Sequence, residues 1–195
     1  MPRQSYNIAG HAHFVTCSSY HRCPILIDDP ARKLLVESLD AARRRLHLEL
    51  WAYVIMPEHV HLLLMPRENA YSMAEILKRV KGPFAKRLID IWRADDDPRL
   101  GQLRIDGPSG PSIRVWERGG GFDRNLYSHE RIRRAVEYIE WNPVRRGLVS
   151  DPMDWVWSSA RARSGITDVP IQIDPICWDG IENAAITDRG HTTGV

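Results

Sequence analysis

Two hydrophobic periods take turns along this chain. Residues 12 to 17 (Ala-His-Phe-Val-Thr-Cys) are rich in strand-forming types and predict a first strand. Asp28-Asp29-Pro30 punctuates the chain, and over 30 to 46 the residues Leu34, Leu35, Leu39 and Ala42 fall at helical spacing. Residues 48 to 55 return to a strand-like run. Met56-Pro57-Glu58 makes a turn, and 59 to 65 (His-Val-His-Leu-Leu-Leu-Met) predicts a third strand, antiparallel to the second. Ser72, with Glu75 three residues on, supplies a capping box for a helix running to about 93.

The pattern then weakens. Residues 94 to 112 hold Asp95-Asp96-Asp97-Pro98, then Gly101, Gly107, Pro108, Gly110 and Pro111, a composition that predicts a long flexible loop. Ile113 to Glu117 reads as a short fourth strand, and Gly119-Gly120-Gly121 as a hinge. A last helix is expected over about 129 to 141, capped by Ser128 and stopped by Pro143. Beyond about 164 little pattern remains, and the final dozen residues read as disordered. The order β-α-β-β-α-β with an extra helix is that of a split βαβ. The expected class is therefore α+β: a ferredoxin-like (RRM-like) sandwich with an antiparallel sheet and an additional C-terminal helix. One domain over 1–163 and a partly disordered extension over 164–195 follow. Such a fold hosts many functions and decides none.

Composition narrows the class. Of 195 residues, 43% are hydrophobic and 27% charged, ordinary for a globular protein. No uncharged apolar run approaches the roughly 18 residues of a membrane span. Met1-Pro2-Arg3-Gln4 leads into no apolar signal region, so a cytoplasmic protein is expected. Cys17, Cys23 and Cys177 are odd in number and cannot all pair, which fits a reducing compartment. The net charge of +2 is mild, but it averages over clusters: Lys78, Arg79, Lys81, Lys86 and Arg87, then Arg131, Arg133, Arg134, Arg145 and Arg146. Each cluster reads either as a solvated face or as a track for a phosphate backbone.

Two small constellations carry candidate chemistry. His59 and His61 lie two apart on a predicted strand, so alternation sends both imidazoles to one face. They are half of a metal site, or two polar residues on a partly exposed strand. On the late helix, roughly 100° per residue puts Ile132, Ala135, Val136 and Ile139 on an apolar stripe. Tyr138 and Asn142 share the shoulder of that stripe, one turn apart. They look into a cleft, or they are a boundary aromatic and a helix stop.

Pro57-Glu58-His59-Val60-His61-Leu62-Leu63 resembles the His-hydrophobic-His motif of the HUH endonucleases, in the form used by single-tyrosine transposases. Trp116-Glu117-Arg118-Gly119-Gly120-Gly121-Phe122-Asp123-Arg124-Asn125 comes next, then Tyr138-Ile139-Glu140-Trp141-Asn142-Pro143-Val144-Arg145-Arg146-Gly147-Leu148-Val149, then Trp155-Val156-Trp157-Ser158-Ser159-Ala160. That order is seen in REP-associated tyrosine transposases. The resemblance covers residues 8 to 163; His-x-His alone is weak, but four ordered motifs are specific.

The resemblance implies a DNA transposase that nicks and rejoins single strands bearing hairpins through a 5′-phosphotyrosine. It makes Tyr138 the nucleophile; should a Tyr138→Phe protein still form a covalent adduct, Tyr127 is next in line. It makes His59, His61 and Asn142 ligands of Mg2+ or Mn2+; Glu58 beside them is left as a shaper of the turn. Imidazoles suit manganese better than magnesium, so both ions stay open. Lys78, Arg79, Lys86, Arg87, Arg118, Arg124, Arg145 and Arg146 become candidate DNA contacts, with Phe122 and Asp123 in the same signature. Trp116 and Trp141 are candidates to stack on unpaired bases, whereas Trp155 and Trp157 are expected to pin the C-terminal segment. A nucleoid-associated protein acting as monomer or homodimer is implied. A rival metal site among His11, His13, Cys17, His21 and Cys23 matches no common zinc spacing. The other rival is a non-catalytic or domesticated nucleic-acid-binding protein on the same fold.

Overall fold

A computed structural model describes residues 7–108, 110–118, 121–179 and 181. The first strand, β1 (Ala12–Ser18), leads through a short 3-10 turn at Tyr20–Arg22 into helix α1 (Asp29–Arg45). Asp28 caps α1 by accepting from the Ala31 N–H at 2.9 Å. Then follow β2 (Leu48–Ile55), β3 (His59–Pro66) and the long helix α2 (Met73–Ala94), which Ser72 caps. The Glu75 carboxylate turns to Arg79 at 2.9 Å. Next come a one-turn helix α3 (Arg99–Gln102) and the strands β4 (Arg104–Gly107), β5 (Gly110–Ile113) and β6 (Phe122–Leu126). Helix α4 (His129–Glu140), capped by Ser128, is followed by short helices α5 (Asn142–Arg145) and α6 (Ala160–Arg163).

The main sheet has the order β2-β3-β1-β6, every neighbouring pair antiparallel. The third strand inserts between the first two, which is the split βαβ arrangement expected from the element order. Alternation gives the sheet two faces. Val15, Leu50, Tyr53, Val60, Leu62 and Leu64 face α1 and α2, where Leu35, Leu39, Val80, Phe84 and Leu88 complete the larger core. Ala12, Val54 and Leu63 face α4, with Ile132, Ala135 and Ile139. The pairing of β2 with β3 shifts between Leu50 and Ala52, so Trp51 and Ala52 both fall in the α4-side core.

Three expectations are corrected. Residues 113–117 are not the fourth strand of the sheet: Ile113 ends the β4–β5 hairpin, and Val115 and Trp116 turn into the core. The strand that pairs with β1 is β6, whose Asp123, Arg124 and Asn125 hide it from a search for strand formers. Residues 94–112 are not a structureless loop, since α3 and the β4–β5 hairpin lie there. Helix α4 ends at Glu140, two residues before the start of α5, where Pro143 suits a first turn. Residues 164–179, which carry little pattern, are nonetheless docked: Ile171 is buried, and Asp174 accepts from the Leu50 N–H at 2.8 Å and pairs with Arg43 at 2.6 Å. The expected disorder of the final dozen residues, the N-terminal Met1-Pro2-Arg3-Gln4 and Gly119-Gly120 of the hinge lie outside the described residues. Among the described residues no helix is long and apolar enough to cross a membrane.

Candidate active site

Strand β3 is paired on both sides, so whatever it carries is held rigidly. His59 and His61 sit on its α4-facing side, both buried, their ring centroids 4.8 Å apart. Each ring is fixed by a bond at Nδ1. His61 Nδ1 lies 2.8 Å from the hydroxyl of Thr16, its partner in the β1 register; His59 Nδ1 lies 3.2 Å from the Glu58 carboxylate. When Nδ1–H donates in these bonds, Nε2 of each ring keeps its lone pair. Burial favours that neutral state. It pushes His61 down to about 3, with the charge of His59 adding to the effect, and it also lowers His59, there opposed by Glu58.

Helix α4 brings the phenol. Its buried stripe of Ile132, Ala135 and Ile139 docks on the sheet and turns Tyr138 to the flank of the histidines. The Tyr138 ring centroid is 5.3 Å from that of His61 and 5.8 Å from that of Phe14, and the residue is 43% exposed. Arg145 places its guanidinium 5.2 Å from the Tyr138 ring centroid and donates to the Tyr138 carbonyl at 3.2 Å. Asn142, at the start of α5, is buried, and its amide oxygen Oδ1 has no hydrogen-bond partner among the described residues.

Glu58 has a larger part than shaping a turn. Its Oε1 accepts from Arg146 at 2.9 Å besides facing His59, with Arg22 at 3.7 Å. It therefore ties α5 to β3 and orients one imidazole. Thr16 orients the other. Sequence reasoning left Thr16 out because only the β1–β3 register makes it opposite His61; Glu58 was visible as a neighbour of the motif. Phe14, stacked on His61 at 5.5 Å, was missed for the same reason as Thr16. Gly121 enables the approach of β6: at φ +79° it lies so close to β1 that a Cβ would stand 2.0 Å from the Thr16 carbonyl oxygen.

The donor set can be tested against a divalent cation. Two imidazoles that burial holds neutral suit a divalent cation, as does an amide oxygen like that of Asn142, which lacks a hydrogen-bond partner among the described residues; a water or phosphate oxygens would complete such a site. Among the described residues no three His, Cys, Asp or Glu side chains are arranged so that they alone could hold a metal ion. Asn142 is the residue that the family resemblance names as a third protein ligand.

The basic residues divide. Arg124 lines the cleft beside Tyr138, and Arg145 lies over the Tyr138 ring. Arg146 is engaged by Glu58, and Arg118 is exposed on the segment before β6. Lys78, Arg79, Lys86 and Arg87 ride on α2, whose buried side packs the opposite face of the sheet; Arg87 pairs with Glu37 at 2.5 Å and Lys78 and Arg79 with Glu75. The structure does not bring them to the histidines. Trp116 is a core residue that donates to the Lys81 carbonyl, whereas Trp141 is exposed. Trp155 and Trp157 do pin the C-terminal segment, donating to the Ile55 carbonyl at 3.1 Å and to Asp29 at 3.0 Å. The N-terminal His and Cys side chains go separate ways. His13 spans Asp123 at 2.8 Å and Tyr71 at 2.7 Å, Cys23 donates to Gln102, and burial pushes the Cys17 thiol up to about 11. Tyr127 stacks on His11, ring centroids 5.1 Å apart.

Comparison with known proteins places this arrangement in context. The family described as "Transposase IS200 like" matches residues 7–94, from before β1 to the end of α2. The chain is 31% identical over 129 residues to a Haemophilus influenzae protein named as a REP-associated tyrosine transposase; the match spans 66% of this chain and 65% of that relative's length. It is 25% identical over 177 residues to the REP-associated tyrosine transposase of Escherichia coli K12, spanning 90% of this chain and 88% of the other. The solved structure of a REP-associated tyrosine transposase bound to a REP hairpin superposes with a TM-score of 0.65 at 20% identity, covering 91% of this chain and 96% of that one, a likeness of fold.

Proposed function

This chain belongs to the REP-associated tyrosine transposases, and from that premise we propose that it nicks and rejoins single-stranded, hairpin-bearing DNA with Tyr138 as its nucleophile. The observation that carries the reading is the 5.3 Å separation of the Tyr138 and His61 rings within one chain. The Tyr138 oxygen attacks the scissile phosphorus while the bond from phosphorus to the 3′-oxygen breaks. The phenolic proton leaves to water, and the departing 3′-oxygen takes a proton. The bond energy of the phosphodiester is kept in the tyrosine ester, so the free 3′-hydroxyl can later reverse the step without a nucleotide cofactor. A free phenol has a pKa near 10, and it is a weak nucleophile until deprotonated in the course of attack.

His59, His61 and Asn142 would hold Mg2+ or Mn2+. A cation there would polarise the scissile phosphate and offset the charge that develops on it. Glu58 and Thr16 keep the imidazoles oriented, and Arg145 keeps a positive charge over the phenol ring. Arg124 and Arg145 are the basic residues best placed to hold the strand near Tyr138, with Arg118 outside them. Lys78, Arg79, Lys86 and Arg87 would meet only DNA that wraps to the other side of the sheet.

The test is to incubate the protein with single-stranded hairpin DNA and manganese and look for a protein–DNA adduct stable to denaturation. An adduct mapped to Tyr138 and lost with chelator supports the reading. An adduct that persists in Tyr138→Phe moves the nucleophile elsewhere, and binding without any adduct favours a domesticated binding protein.

A further inference from the structure

A cleft of about 460 Å³ opens between the edge strand β6 and helix α4, with Tyr138 but neither histidine among its described lining residues. Beside the aliphatic Leu126 and Ala135, its walls are of two kinds. Phe14, Phe122 and Tyr138 give aromatic surfaces: Phe14 meets Phe122 at 5.9 Å and Tyr138 at 5.8 Å, both nearly edge-on. Arg124, Arg131 and Arg134 supply guanidiniums, and no acidic side chain lines the cleft among the described residues. Arg131 also lies over the Tyr127 ring at 5.1 Å, and Arg134 pairs with the exposed Glu130.

We infer that this cleft is a subsite for one unpaired nucleotide flanking the scissile phosphate. The inference rests on Tyr138 being the nucleophile. A packed core would not collect three guanidiniums, and a site for phosphate alone has no use for three rings. An unpaired nucleotide uses both, its base against an aromatic face and its phosphate beside the arginines. A base inside a duplex is already stacked and hidden, so the cleft selects single strands. Phe14 couples this subsite to the reaction centre: one ring forms a wall of the cleft and stacks on His61. A nucleotide seated on it sets where the neighbouring phosphate falls between Tyr138 and the imidazoles.

The probe is a hairpin oligonucleotide with unpaired flanks, carrying 2-aminopurine at successive flank positions and bound to the Tyr138→Phe protein, which keeps the ring. One flank position should lose fluorescence on binding. Phe122→Leu and Arg124→Gln should each restore that fluorescence and weaken binding about five- to a hundredfold, with melting temperatures unchanged. Absence of quenching at every position, or quenching undiminished in both variants, overturns the subsite. The readout is binding alone, so it separates from the nucleophile: a Tyr138 adduct without quenching removes the subsite and spares Tyr138, and quenching without an adduct does the reverse.

Discussion

The two faces of the sheet are built from the same strands to different ends. Toward α1 and α2, β3 offers Val60, Leu62 and Leu64, and the face is apolar along its length. Toward α4 the same strand begins with His59 and His61 and only then turns apolar at Leu63. Strand β1 mirrors this, with Ala12 and Phe14 at one end of that face and Thr16 and Ser18 at the other. The α4 side is thus half adhesive and half site. Ile132, Ala135 and Ile139 anchor the helix on the apolar half, which leaves Tyr138 free of a packing duty beside the polar half. The larger apolar core lies on one face, and the candidate site occupies the part of the other that the smaller core leaves open.

The widest contrast between the faces comes from one truncation on each. Phe84 is fully buried on the α2 side, so Phe84→Ala should cost about 3–5 kcal/mol in denaturant unfolding. Tyr138→Phe should stay within about 0.5 kcal/mol of the parent. Comparable losses would mean that Tyr138 is a core residue. Next in size is Glu58→Gln, which keeps the shape of the carboxylate but removes the charge that meets His59 and Arg146. Manganese binding by calorimetry should weaken about 10- to 100-fold; an unchanged affinity would leave Glu58 a turn residue only.

The last effect is one of slope. The folded state holds His61 near 3, below its unfolded value of about 6.5, so between those values the unfolded chain carries a proton that the folded chain lacks. The stability this neutral imidazole confers is full above about pH 6.5 and is lost as pH falls toward 3. Unfolding measured across that window should show a shallower acid loss in His61→Gln than in the parent. Identical slopes would place the acid sensitivity in other groups.

How much of this could be read from residues alone follows from the range of the interactions concerned. The helices α1, α2 and α4 were legible because the break at Asp28-Asp29-Pro30, the caps at Ser72 and Ser128 and the apolar spacing are local signals. So was the His59–His61 pair, since strand alternation requires only neighbours. Strand β6 was not: it is held by its pairing with β1 and by the close approach of Gly121 to Thr16, neither of which leaves a hydrophobic period in the sequence. The roles of Thr16 and Phe14 depend on the β1–β3 register, and that of Glu58 on Arg146, 88 residues away. The α2 basic cluster illustrates the opposite failure. Charge density is visible in sequence, but which side of the sheet it decorates is not.

The central claim is that one phenol and two imidazoles can share a single phosphate, and its most direct test is a distance from the metal. Protein labelled with 3-fluorotyrosine, with the Tyr138 resonance assigned by its absence in Tyr138→Phe, would be titrated with Mn2+ and followed by fluorine NMR. Paramagnetic broadening of that resonance ahead of the other tyrosines, and its loss in His59→Ala and His61→Ala, is the result predicted. A Tyr138 signal that stays sharp at saturating Mn2+ would contradict the account.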